Sequence, residues 1–389
     1  MARKLKIVVA GFAIGFPLGG QIWMMLHYML GFSRMGHEVL FLEDSSDWAY
    51  PYDPVRGLYD IDSTYGREQL ERFFSYFGLS GRWAYYSGFE NKLYGWDRER
   101  LDRYIAQADL FLNISGVLPL REEYLSSRVK AIIDTDPVFM QVKIRDDDWT
   151  RSYYKAHDVC FTYGYNLPLG QTEVPLSGIN WRPLLPPVVL NEWTPLESAG
   201  TAYTTVGSWD TRGRDVELGG HSYSWRKSIK YEPIIDLPGS IPGGIFDLTF
   251  SGMSRDDGLR FAQHGWIVRD AGVLSQNPWR YKEYIRDSRA EFTVAKDQNV
   301  MLKSGWFSDR SACYLAAGRP VITEDTGFGR FLPVGEGLFA FTTQEQIFEA
   351  IQAIEAEPER HRAAALRIAR EHFDSGKQLG YILKETGLA

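Results

Sequence analysis

The chain alternates short, almost purely apolar runs with longer stretches whose apolar residues recur every three or four positions. These are the periods of buried strands and of amphipathic helices. The first run, Lys6 to Ala10, reads as a buried strand. A loop with Gly11, Gly15, Gly19 and Gly20 follows, then a helix from about Gln21 to Met35. Gly36 stops it, a residue suited to the left-handed turn that ends helices. "HEVLFLED" is the next strand and closes in Glu43 and Asp44. Strand, loop, helix and strand form the unit a parallel sheet requires, because parallel neighbours need a crossover. "ADLFLNISG", "VKAIIDTDP" and "DVCFTYGYN" repeat the apolar run with a polar end. Residues 181–200, "WRPLLPPVVLNEWTPLESAG", are proline-rich and without period, and read as a link between domains. The pattern then restarts with "AYTTVGSW", "IFDLTFSG", "GWIVRD", "AEFTVAK" and "RPVITEDTG". Helices such as Trp279 to Asp287 and Gln344 to Glu355 lie between these runs, and Pro358 to Leu383 is helical and polar on one face.

The prediction is α/β, with parallel sheets in two domains that face each other across a cleft, where ligands favour binding. The expected boundaries are 1–185, a linker over 186–200, and 201–370. A C-terminal helix over 371–389 is placed to pack back on the first domain. No repeat or low-complexity tract interrupts this division.

Length agrees with two domains, since 389 residues exceed what one core usually organises. Composition changes the picture only by exclusion. The net charge of −7 and the lack of a long basic run argue against nucleic acid or an anionic membrane as partner. Cys160 and Cys313 offer neither metal spacing nor a disulfide framework, which fits a reducing cytoplasm. The basic head and apolar run of "MARKLKIVVAGFAIGFPLGG" imitate a signal peptide, but the pattern continues directly into helix and strand. The expected location is therefore cytoplasmic. No apolar run reaches the length of a membrane span.

Chemistry concentrates in residues 304–329, "SGWFSDRSACYLAAGRPVITEDTGFG". Ser304 or Ser308 suits a helix cap, and Asp309 sits in the first turn, where the helix dipole favours a carboxylate. "SACYLAAG" is a small-residue helix closed by Gly318, Pro320 opens the strand "VIT", and Glu324, Asp325, Thr326 and Gly327 follow. In a parallel sheet the carboxyl ends of strands form the ligand edge. The helix start and the Thr326–Gly327 turn share that edge, and free N–H groups there suit a diphosphate. Ser304, Ser308 and Thr326 add hydroxyls, Lys296 at the end of "AEFTVAK" adds charge, and carboxylates there accept sugar or ribose hydroxyls. Arg310 pairs either with phosphate or with neighbouring Asp309. Arg226, Lys227 and Lys230 in "WRKSIKYEP" are further cations. Gly19 and Gly20 permit close approach of a phosphate or sugar to backbone. The loop lacks G-x-G-x-x-G, which makes a dehydrogenase the least favoured reading. Trp209, Trp306 and Phe328 are placed to stack on a base or sugar, while His27, beside Trp23 and Met24, reads as packing.

"RMGHEV" after a glycine-loop helix, and "YLAAGRPVI" before a glycine turn, resemble GT-B glycosyltransferases. The whole chain, most specifically "AEFTVAK", "SGWFSDRSACYLAAGRPVITEDTGF" and "LPVGEGLFAF", resembles the glycosyltransferase-like bacterial proteins grouped with a spore maturation protein. The resemblance implies a GT-B fold with two Rossmann-like domains. It implies transfer of a sugar from a nucleotide-diphosphate sugar, the donor on the C-terminal domain, the acceptor on the N-terminal one, and neither metal nor further cofactor. Carried onto this sequence, the donor side is Gly207, Ser208, Lys227, Lys296, Ser304, Gly305, Trp306, Asp309, Arg310, Asp325, Thr326 and Gly327. The acceptor side is Gly19, Gly20, Asp44 and Ser115. Relatives place a histidine–aspartate pair after the strand matching "IIDTDP", so Asp136 is the first candidate to accept the acceptor's proton, with Asp134 second and Asp44 weaker.

The chain departs from the family where retaining members carry two glutamates, since Gly305 and Cys313 stand at those places. The histidine-rich phosphate motif of inverting relatives is also absent. Stereochemistry, sugar, base, acceptor (a small molecule or a glycan) and oligomeric state stay open. A non-catalytic nucleotide-sugar-binding protein and an epimerase or phosphorylase on the same fold are the alternatives.

Overall fold

A computed structural model describes residues 3–46, 50–197, 200–211 and 213–389. Met1 and Ala2 of the basic head, and Ser198 and Ala199 of the expected linker, lie outside the described residues. The apolar runs form two sheets. In the first, neighbours run Trp181–Pro183, Val159–Thr162, Val129–Asp134, Leu110–Ile114, Lys6–Ala10, Glu38–Asp44, Trp83–Ser87 and Lys92–Tyr94. All pair in parallel except the last, which closes the edge as an antiparallel hairpin. In the second the order is Ile267–Asp270, Ile245–Ser251, Ala202–Ser208, Ala290–Thr293, Val321–Glu324 and Leu338–Phe341, parallel throughout. From the first strand of each sheet the chain moves outward one way and then returns to build the other way. The reversal falls between Lys6–Ala10 and Leu110–Ile114, and again between Ala202–Ser208 and Ala290–Thr293. Crevices open at such reversals, outside the carboxyl ends of the strands. This is the GT-B fold, two Rossmann-like sheets in one chain.

Near-continuous burial of the central strands explains why their sequences do not alternate, since helices cover both faces of a parallel sheet, whereas the edge strands Ile267–Asp270 and Lys92–Tyr94 stay largely or partly exposed. Helix Gly19–Arg34 is buried along most of its length because it serves both domains. It packs on helix Pro278–Arg286 of the C-terminal half and on helix Ser375–Glu385 of the tail. One apolar core accordingly runs through Trp23, Met25 and Leu26 to Tyr281, Phe307 and Phe328. The tail is not one helix. Pro358–Ile368 ends in a wide turn over Ala369–Phe373, and Asp374 restarts the chain by capping the N–H of Lys377. The proline-rich stretch is also more ordered than its composition implies. Trp181–Pro183 extends the first sheet, and Leu184, Leu185, Val188, Val189 and Trp193 are buried. Among the described residues no helix is long and apolar enough to cross a membrane.

Candidate functional site

The C-terminal sheet presents a small, partly open concavity at its carboxyl edge. Strand ends supply Thr293, Val294, Thr323 and Glu324; the intervening loop and helix supply Trp306, Ser308, Arg310 and Ser311; the following turn supplies Thr326 and Phe328. Ser308 precedes helix Asp309–Ala316 and makes no side-chain cap, and the Asp309 carboxyl instead turns back on the N–H groups of Asp309 and Arg310 that open the helix.

Charge is arranged around this edge in layers. Glu291, fully buried on strand Ala290–Thr293, accepts from Arg310 Nε at 2.6 Å through Oε1. Arg310 also donates to Val206 O at 2.7 Å and Thr293 Oγ1 at 3.0 Å, which locks the guanidinium beneath the two central strands. The second oxygen of Glu291 has no partner among the described residues. Lys227 lies just past the first strand, its backbone N–H bonded to Trp209 O at 3.1 Å. Only 9% of it is exposed, and its ammonium makes no hydrogen bond or ion pair with the described residues. Burial, then the like charges of Arg310 and Lys296, hold its pKa well below the ordinary lysine value. The Glu291 and Glu324 carboxylates lie close enough to oppose this shift but neither pairs with the ammonium directly, and a largely buried ammonium without a direct partner is costly. Lys230 bonds Asp297 at 3.1 Å and Glu324 at 3.3 Å, and Glu324 also accepts the Ala295 N–H at 2.9 Å. Burial raises the Glu324 and Asp309 carboxyls above the usual range.

Lys296 spans the domains. Its ammonium is 2.8 Å from Asp136 of the N-terminal domain and stands over the Trp225 ring at 3.2 Å, with Arg214 3.7 Å from the other Asp136 oxygen. Just beyond, Val138 is held at φ 73°, ψ −58°, a rare conformation for a β-branched residue and one found where structure around it over-determines the chain. Asp134 points inward. It accepts from Gln141 at 2.8 Å, Thr162 at 2.8 Å and the Asp136 N–H at 3.0 Å, and burial pushes its pKa up to about 6.

Other residues singled out in the sequence are engaged inside the fold. Ser304 donates to Asn299 at 2.8 Å and Thr326 to Trp306 O at 2.6 Å, so these hydroxyls tie the loops together. Asp325 holds Lys303 at 2.9 Å and the Gly327 N–H at 2.7 Å. Gly305 and Gly327 adopt φ of +77° and +88°. Gly207 and Ser208 end the first strand, and Ser208 reaches only Ser251, at 3.4 Å. Ser115 shares a hydroxyl contact with Thr135 at 2.8 Å. Asp44 is saturated by Arg121 at 2.6 Å, Tyr124 at 2.8 Å and the Ser46 N–H at 2.8 Å. The space beside Gly19 and Gly20 is filled by Tyr281: a Cβ at 19 would fall 2.5 Å from its Cβ, and one at 20 would fall 3.1 Å from its hydroxyl. His27 is buried, 3.6 Å from Cys313 and within hydrogen-bond reach of the Val189 N–H and of Trp193.

Sequence reasoning missed Glu291, Arg214, Trp225, Asn166, Tyr281 and the role of Glu43. Glu43 accepts the N–H groups of Ala13, Ile14 and Gly15 at 2.7, 2.6 and 2.6 Å. The N-terminal glycine loop thus already holds a carboxylate where a phosphate would bind. Burial pushes this carboxyl up to about 7, against the pull of the three N–H donors. A buried acid ending an otherwise apolar strand beside a glycine loop was the available signal. Glu43→Ala is expected to destabilise the fold by about 2–3 kcal/mol, the scale for losing hydrogen bonds to a charged group. Denaturant unfolding would show this, with nucleotide binding to the folded variant unchanged within about twofold. No set of three or more acids, histidines or cysteines positioned for a metal occurs among the described residues.

No family model matches the chain, and no curated protein matches it in sequence. Solved structures do match its fold. HepE from Anabaena, solved with UDP and glucose, is 11% identical with a TM-score of 0.58, over 98% of this chain and 99% of that one. Sucrose-phosphate synthase from Thermosynechococcus elongatus is 13% identical with a TM-score of 0.53, over 98% and 99%. An α-glucosyltransferase solved with UDP and a DNA 13-mer is 11% identical with a TM-score of 0.56, over the full length of both chains.

Proposed function

We propose that this protein is a glycosyltransferase that moves a sugar from a nucleotide-diphosphate sugar to an acceptor on the N-terminal domain, without a metal ion. The observation that carries this reading is the unpartnered Lys227 ammonium at the reversal point of the C-terminal sheet. A diphosphate there would meet Lys227, the N–H groups opening helix Asp309–Ala316 and, by a short movement, Lys296. Cations so placed neutralise the charge that grows on the leaving diphosphate, the role a metal fills elsewhere. Glu324 suits donor hydroxyls. Asp136 faces this edge from the other domain, and withdrawal of Lys296 toward phosphate would free it to accept the acceptor's proton. Continuity of the core between domains would exclude water, which would otherwise hydrolyse the donor. The structural similarity to HepE and α-glucosyltransferase makes a uridine nucleotide the first donor to test.

The test is release of uridine diphosphate from UDP-sugars in the presence of a chelator, with simple glycosides as acceptors. Release that depends on the protein and on Lys227 supports the reading. Nucleotide binding without release from any sugar favours a non-catalytic sugar-nucleotide-binding protein. That second reading is kept alive by Gly305 and Cys313 at the places of the family's glutamates, with Cys313 buried against His27.

A further inference from the structure

The loops lining the donor concavity are not held by their own domain alone. Asn166 follows strand Val159–Thr162 of the N-terminal domain and is fully buried between them. Its backbone N–H donates to Ser304 O at 3.1 Å. Its carboxamide nitrogen donates to Lys303 O at 2.8 Å and Gly327 O at 3.2 Å. One side chain therefore joins the turn before Trp306 to the turn after Thr326, and both Trp306 and Thr326 line the concavity. The glycines explain the fit. A Cβ on Gly305 would lie 2.8 Å from the Asn166 carboxamide carbon, and one on Gly327 would lie 2.7 Å from its nitrogen. Positive φ and close approach by Asn166 thus coincide at both turns, so each glycine is required twice. Two carbonyl acceptors set the orientation of the amide, which leaves its oxygen buried and without a partner among the described residues. The cost of that orphaned acceptor is tolerated only because the two donated bonds need this amide orientation. Neighbours of Asn166 add to the grip: Thr172 donates to Leu302 O at 2.5 Å, and Tyr165 stacks on Phe331 at 4.1 Å.

We infer that Asn166 is a positioning residue of the donor site, through which the N-terminal domain sets the two glycine turns that receive the nucleotide sugar. The inference rests on the donor reading above. It makes donor affinity depend on how the two domains are docked, although Asn166 itself touches no donor. Alanine at 166 removes both side-chain bonds, whereas aspartate retains the size but turns an acceptor toward two carbonyls.

The experiment compares wild type, Asn166→Ala and Asn166→Asp by thermal unfolding, by calorimetric binding of uridine diphosphate, and by amide hydrogen exchange of residues 303–307 and 326–329 without ligand. We expect faster exchange confined to those two turns and nucleotide binding weaker by about tenfold in Asn166→Ala, the scale of one or two lost hydrogen bonds. A larger loss is expected in Asn166→Asp. Should alanine prove unstable, the aspartate variant and Gly327→Ala, which pushes the carboxamide from the other side, give the same readouts. A folded variant with normal affinity, or with exchange unchanged in both turns, overturns the inference. Wild type binding no nucleoside diphosphate removes the donor reading and the inference with it, an outcome distinct from failure of the variant alone.

Discussion

Lys227→Met is expected to weaken nucleoside-diphosphate binding by about 100-fold while making the free protein more stable. Charge-assisted bonds to phosphate are worth about 1.5–3 kcal/mol each, and a single ammonium can serve two phosphate oxygens. The gain in stability has the same origin. The largely buried ammonium makes no hydrogen bond or ion pair with the described residues, and replacing such a charge by an apolar chain of similar length removes its desolvation cost. The pH dependence follows from the direction of its shift. Burial lowers the Lys227 pKa in the free protein, and a bound diphosphate would raise it again. Binding therefore favours the protonated form. Affinity should be constant below the depressed pKa, fall as pH rises above it, and be accompanied by proton uptake from buffer. Titrations in buffers of different ionisation enthalpy check this. Equal proton uptake by wild type and the methionine variant would assign the proton to another group.

Asp136→Asn is expected to lower transfer by about 100–1000-fold, the range for loss of a general base, with nucleotide affinity changed less than threefold. The carboxylate reaches across from the N-terminal domain to the proposed donor edge and is held by Lys296 at 2.8 Å. It is one-third exposed, so losing this ion pair should cost little stability. That separates it from Asp134, whose burial and three hydrogen bonds give it a structural task. Initial rates at saturating donor, with melting curves, distinguish the two. Unchanged turnover in a folded Asp136→Asn protein would remove the base assignment and move attention to Asp309.

The two sheets were legible because most of their central strands are short apolar runs ending in polar residues, and burial on both faces demands that pattern. Leu338–Phe341 and Trp83–Ser87 escaped because glycines crowd the first and tyrosines the second, so neither stands out as aliphatic. Trp181–Pro183 was hidden by its prolines, which an edge strand tolerates. At the site, the sequence pointed to the region but not to the partners. Arg310 was read beside Asp309, its neighbour in the chain, yet its guanidinium turns to Glu291, which sits inside a strand read only as apolar. Hydroxyls at 304 and 326 were read as facing ligand, but short loops spend such donors on their own backbone first. The glycines at 19 and 20 signalled close approach without saying of what, and Tyr281 lies more than 250 residues away. Asn166 carried no motif at all. Its meaning comes from two positive-φ glycines in another domain, a relation no local pattern records.

The most direct test of the account is calorimetric titration with uridine, thymidine, guanosine, adenosine and cytidine diphosphates, first in chelator and then with magnesium. One of them is expected to bind in the micromolar range without metal, and Lys227→Met is expected to lose this binding while remaining folded. Silence across the panel from the folded wild-type protein, or binding that survives the loss of Lys227 undiminished, would contradict the account.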